Sequence, residues 1–186
     1  TQGQIAPNKH GLPVIYLDFD GEWVVGTSWN FIYPEIYCRA SPITAQQISE
    51  ITLLIKDDFK PFNVVITTDE QVFLKAPYDK RMRVIFTDSY ETFGTIGGIA
   101  FIGSFTWGDD TPCFVFPALL SKINRVKECS EAASHEIGHT LGLKHKSWYD
   151  STGRLIEEYY NGRGVGETSW SPIMGRGQGK KYEYLA

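Results

Sequence analysis

Apolar residues fall along this chain in short runs and stripes whose spacing names the elements. Val14-Ile15-Tyr16-Leu17-Asp18-Phe19-Asp20 is a mostly apolar run closed by Gly21, which predicts a strand. Ser41 and Pro42 then open a helix as N-cap and first helical residue. Ile48, Ile51, Ile55 and Phe59 follow at helical spacing as one apolar stripe, and Lys60-Pro61 stops it. Residues 63–67 and 83–87 are β-branched runs that read as strands, separated by a polar stretch containing Pro77. Residues 97–105, opened by glycines and rich in small side chains, read as another strand; glycine inside a strand marks close approach of a second backbone. Residues 113–116 make one more. A second helix is predicted over 130–141, with Ala133, Ile137 and Leu141 in one apolar row. Residues 1–13, 26–40 and 146–171 show no clean period and read as loops. This order predicts helices packed on a sheet.

The 186 residues, 42% hydrophobic and 22% charged, suffice for one domain with a full core, or one domain in two unequal lobes. The net charge of -4 comes with no basic run that would neutralise a phosphate backbone, so nucleic acid is not an expected partner. The longest apolar stretches, such as 113–120, fall far short of the roughly 20 residues that span a bilayer. No signal segment is seen, and the start at Thr1 without methionine fits a processed or trimmed chain. Cys38, Cys113 and Cys129 are odd in number; Cys113 and Cys129 flank one loop and can pair, or all three stay free and buried. Asp18, Asp20 and Glu22, and Asp109-Asp110, form acidic clusters without an ordered ligand loop and read as solvated charge. His10, in the lead-in, reads as incidental or as part of a pro-segment junction.

Three of the four histidines lie within eleven residues: His135-Glu136-Ile137-Gly138-His139-Thr140-Leu141-Gly142-Leu143-Lys144-His145. His135 and His139, four apart on a helix, project from one face about a turn apart, which suits two nitrogens meeting one Zn²⁺. Gly142 supplies the left-handed residue that ends a helix and turns the chain, so that His145 swings back to the same ion. Three ligands leave the fourth position open to water, the mark of a catalytic zinc site. Glu136, beside the first ligand, lies to one side of the metal, where its carboxylate acts as general base on the water and then as acid to the leaving amine. The expected reaction is peptide-bond hydrolysis without a covalent intermediate. Two other readings stay open: an inactive zinc-holding module that binds peptides, and a zinc hydrolase of some non-protein amide.

The pattern H-E-x-x-H-x-x-G-x-x-H resembles the signature of the metzincin metalloproteases, and Ser171-Pro172-Ile173-Met174-Gly175 resembles their methionine turn. The resemblance spans residues 14 to 175. It implies an α+β fold: a twisted mixed sheet with two long helices in an N-terminal lobe (about 14–142), a small irregular C-terminal lobe (about 143–186), and the zinc cleft between. It implies Met174 as an apolar floor under the metal, and a protein or peptide substrate extended along an edge strand at Gly98, Ile99, Ala100 and Phe101. It further implies a specificity pocket in 146–170, with Trp148, Tyr149, Tyr159, Tyr160 and Trp170 available as walls. Calcium at the acidic clusters, a secreted, cell-surface or periplasmic setting, and an inhibitory pro-segment outside this chain are implied in the same way. Arg176 stands where some members carry a metal-reaching tyrosine, and Lys146 matches none of the best-known subfamilies. A reprolysin-like bacterial secreted peptidase is the subfamily expectation.

Overall fold

A computed structural model describes residues 11–176 and 180–184; His10 and most of the lead-in lie outside them. The chain opens with strand β1 (Val14–Asp18) and a hairpin of β2 (Glu22–Val24) and β3 (Ile36–Cys38), followed by helix α1 (Ala45–Asp58). Strand β4 (Val65–Thr67), the short helix α2 (Glu70–Leu74) and strand β5 (Arg81–Phe86) come next, then β6 (Gly98–Ile99), β7 (Cys113–Val115) and the long helix α3 (Arg125–Thr140). Two small two-stranded pieces complete the chain: β8 (Trp148–Tyr149) with β9 (Leu155–Glu157), and β10 (Trp170–Pro172) with β11 (Tyr182–Tyr184).

Five strands form one mixed sheet in the order β4-β1-β5-β7-β6. The first four are mutually parallel, and β6 joins antiparallel at the edge through Gly98 opposite Val115 and Ile99 opposite Phe114. Side chains alternate between two covered faces, which is why the parallel strands read as continuous apolar runs. Ile15, Leu17, Met82, Val84, Phe86, Cys113 and Val115 share one core with Ile51, Ile55 and Phe59 around α1 and with Cys129, Ala133 and Ile137 of α3. On the other face Ile85, Phe114 and Phe116 pack with Trp29, Val24 and Ile36, while Val14 and Tyr16 pack with Phe73 of α2. The expected α+β architecture with two long helices is present.

Boundaries differ from the sequence expectation for local reasons. Helix α1 is capped by Thr44, not Ser41: Gln47 N–H donates to Thr44 Oγ1 at 3.3 Å, and Thr44 N–H to Gln47 Oε1 at 3.0 Å. Ser41 instead gives its N–H to Phe19 O beyond the end of β1. Helix α3 begins at Arg125, five residues before the predicted start, and Leu141 is its half-exposed C-cap instead of a core residue. The strand foreseen over 97–105 lasts two residues. Phe101 turns into the second face to stack on Trp29 (centroids 4.1 Å), and Gly103, at φ +80°, donates its N–H to His139 O at 2.9 Å.

Apart from Asp20, which is exposed, the acidic clusters are not solvated charge. Asp18 is buried and pairs with Arg83 at 3.0 Å, and Glu22 and Glu70 join the same guanidinium. Asp109 accepts from Ser28 and Thr111 hydroxyls at 2.9 and 2.7 Å, and Asp110 pairs with buried Arg81. All three cysteines are free and buried, so Cys113 and Cys129 do not pair.

Candidate metal centre

The last turn of α3 is built to present two imidazoles and bend the chain. Leu143 N–H donates to Gly138 O and Gly142 N–H to His139 O, both at 2.9 Å, the paired bonds of a Schellman cap around Gly142 at φ +94°. That left-handed residue sends residues 143–145 back over the helix end. His135, His139 and His145 come together with ring centroids 4.7 to 5.3 Å apart, and their ligand atoms all lie within 4.8 Å of one another. Among the described residues this is the one group of His, Cys, Asp and Glu with metal-ligand spacing.

Two of the three rings are hydrogen-bonded from behind. His135 Nδ1 donates to Ile173 O and His139 Nδ1 to Leu143 O, both at 2.8 Å, while His145 Nδ1 faces the Glu158 carboxylate at 3.7 Å. A hydrogen bond at Nδ1 fixes the tautomer and leaves Nε2 as the ligand. His139 Nε2 and His145 Nε2 are 3.1 Å apart. Two nitrogens held by zinc at about 2.0–2.1 Å with a tetrahedral angle stand about 3.3 Å apart, so the donor set fits this ion. Burial lowers the His135 pKa to about 4 and lowers that of His139, which keeps both rings neutral and ready to ligate.

Glu136 is 7% exposed, and burial raises its pKa to about 8. Its closest cover is Gly98: a Cβ there would sit 2.8 Å from both Cγ and Oε1 of Glu136. This is the close approach the glycine run anticipated, and the neighbour is a carboxylate side chain as well as the Phe114 main chain. On the other side of α3, a Cβ at Gly138 would lie 2.5 Å from Sδ of buried Met174. Met174 therefore packs on the bare stretch of helix between the two histidines. Its turn is fixed by Gly175 N–H to Pro172 O at 2.8 Å and by Lys146 N–H to Met174 O at 2.7 Å.

A cleft of about 580 Å³ opens at the histidines, with Gly98, Ile99, Ala100, His135, Glu136, His139 and His145 in its lining. Phe101 lies outside that lining, against Trp29 and Trp107. Of the five aromatic residues considered as walls, Tyr159 lines the cleft, its ring 4.1 Å from that of His145. Trp148 and Tyr149 are exposed on β8, and Tyr160 contacts Trp148 and Trp170. Arg176, Glu158 and Gly138 also belong to the site. A glycine in mid-helix is a signal by which the sequence could have shown that a neighbour packs there.

The histidine triad, a carboxylate beside it and an open cleft define a metallopeptidase-type centre. Residues 43–146 match the family model described as "Metallo-peptidase family M12B Reprolysin-like". The chain belongs to the reprolysin-like M12B metallopeptidase family. It is also similar to two solved structures of myroilysin, at 14% and 15% identity and TM-scores of 0.40 and 0.42, covering 75% and 80% of this chain and 44% and 53% of theirs. The chain thus spans about half the length of those two proteins. Archaemetzincin from Methanopyrus kandleri is similar at 16% identity and a TM-score of 0.42, with 76% of this chain and 79% of that one covered. No curated protein sequence matches the chain.

Proposed function

We propose that this chain is a zinc-dependent endopeptidase in which His135, His139 and His145 hold the ion and Glu136 is the general base. The observation that carries the reading is the convergence of three imidazoles, two of them hydrogen-bonded at Nδ1, beside a buried carboxylate that faces an open cleft. Zinc bound at such a site supplies a Lewis acid and a water acidified towards neutrality. The Glu136 carboxylate would accept a proton from the attacking water and return it to the leaving amine nitrogen. Burial alone raises the pKa of this carboxyl to about 8, and a dication bound beside it would favour the ionised form.

The substrate lies extended along β6, which pairs with β7 on one side and has no strand on its other edge among the described residues. Main-chain hydrogen bonds from Gly98 to Ala100 orient the peptide by strand addition. Met174 supports the histidines from below. The catalytic domain is a single unit with lobes of about 14–142 and 143–186, acting in a secreted, cell-surface or periplasmic setting and held in check by a pro-segment before activation. Calcium at the acidic clusters is not part of this reading, because arginines and hydroxyls already engage those carboxylates.

The test is a peptide-library digestion with the zinc-loaded protein, analysed for new termini. Internal cleavage that stops with chelator and returns with zinc supports the reading. Glu136→Gln protein that holds zinc and binds peptide yet cuts as fast as the parent overturns the assignment of the base. Absence of cleavage at full zinc occupancy identifies a binding module instead.

A further inference from the structure

We propose that Arg176 selects a substrate carboxylate next to the scissile bond. The inference rests on the peptidase reading above and names the chemistry its cleft prefers. Arg176 is exposed, lines the cleft together with His135, Gly98 and Tyr159, and is the one lysine or arginine among the described residues of that lining. Its backbone is pinned: its N–H donates to Tyr160 O at 3.0 Å, and the preceding Gly175 is bonded to Pro172 and sits so close to Tyr160 O that a Cβ would be 2.4 Å away. The guanidinium therefore extends from a fixed point on the cleft wall.

Several arginines elsewhere are engaged by the fold itself, and Arg163 Nε donates to the Tyr160 hydroxyl at 3.0 Å. Arg39 pairs with Glu91, Arg81 with Asp110, and Arg83 with Asp18, Glu22 and Glu70. Arg176 has no ion pair or side-chain hydrogen bond among the described residues. The carboxylates that share its cleft are committed: Glu131 to Lys127, Glu128 to Ser121 N–H at 2.8 Å, and Glu136 beneath Gly98. A planar guanidinium, charged at every working pH and left without a partner in a peptide cleft, matches a carboxylate in charge and in fork geometry. That carboxylate comes from an Asp or Glu side chain of the substrate or from the substrate's own C-terminus.

The experiment uses zinc-loaded full chain and matched peptides with Ala, Asp or Lys at each position flanking the cut, plus one pair ending in a free carboxylate or an amide. For wild type, kcat/KM is expected to favour the carboxylate-bearing member by roughly 10- to 100-fold, the range of a charged hydrogen bond, and less at high salt. Arg176→Ala brings that ratio close to one, and Arg176→Glu shifts the preference to Lys. The internal and terminal pairs tell the two sources apart. Equal cleavage of all peptides by wild type, or acid preference that survives in Arg176→Glu, overturns this inference and leaves the peptidase reading standing. Failure of zinc-loaded wild type to cut any peptide overturns that reading, and this one with it.

Discussion

Alanine at position 98 brings a methyl group against the proposed base. Its Cβ lies 2.8 Å from Cγ and Oε1 of Glu136 and 2.8 Å from Phe114 O, where ordinary contact begins at 3.4 Å. The shortfall is about 0.6 Å, within the repulsive range of a non-bonded pair. Phe114 belongs to the strand that β6 pairs with, so its main chain cannot retreat, and the carboxylate of Glu136 moves instead. A misplacement of about 1 Å at a reacting group costs on the order of 100-fold, and general-base catalysis contributes about 10²–10⁴-fold in all. Gly98→Ala is therefore expected to lower kcat by about 10- to 100-fold. Overpacking costs about 1–3 kcal/mol, which lowers Tm by roughly 2–12 °C. Zinc content stays at one ion per chain, because the added methyl meets Glu136 and Phe114 and no histidine. The assay is hydrolysis of a quenched fluorescent peptide at saturation, with metal quantified by mass spectrometry and melting followed by circular dichroism. Gly97→Ala, whose Cβ meets the movable tip of Leu120 at 3.1 Å, should lose less. A Gly98→Ala enzyme with kcat within about twofold of wild type, well under 1 kcal/mol, refutes the argument.

Met174 is 2% exposed and fills the hollow over Gly138, so Met174→Ala should destabilise the chain by about 2–5 kcal/mol in urea unfolding. In chelator-treated protein the buried Glu136 carries a proton up to about pH 8 that the unfolded chain has released, so stability should fall as pH rises from about 6.5 to 8. The lowered pKa values of His135 and His139 act in the opposite direction and only below about 6.5, and Glu136→Gln should flatten the slope above that point. With zinc held by the folded site alone, adding it to chelated protein at 100 times its Kd should raise stability by about 2.7 kcal/mol in the same unfolding assay. Glu158 is 67% exposed and 3.7 Å from His145, so Glu158→Gln should weaken zinc affinity by less than about fivefold in a competition titration, as expected for a solvent-screened pair.

Much of the site was legible because its chemistry is local in sequence. His135, Glu136, His139, Gly142 and His145 lie on one helix and its cap, where 3.6-residue spacing and a single left-handed glycine determine who meets whom. The parallel strands of the main sheet were equally legible, since runs such as Val14 to Asp18 are buried on both faces, whereas the short strands within 26–40 and 146–171 carry no such run. Contacts closed over long separations were not. Nothing near Arg83 in sequence announces that it gathers Asp18, Glu22 and Glu70, so acids that looked solvated proved to be structural. The cap at Thr44 was missed because Ser41-Pro42 carries the same local signal, and only the bond from Ser41 to Phe19 decides between them. Phe101 looked like part of a strand, and an aromatic cluster on the far face drew it away. Tyr159 could not be told from its aromatic neighbours, because its place beside His145 depends on how residues 146–160 fold back.

Zinc K-edge absorption on the purified, metal-loaded chain reads the first coordination sphere itself. Three imidazole nitrogens at about 2.0–2.1 Å with one oxygen is the predicted sphere, reduced by one imidazole in each of His135→Ala, His139→Ala and His145→Ala. A sulfur ligand in the wild type, or an unchanged sphere after any of the three replacements, contradicts it.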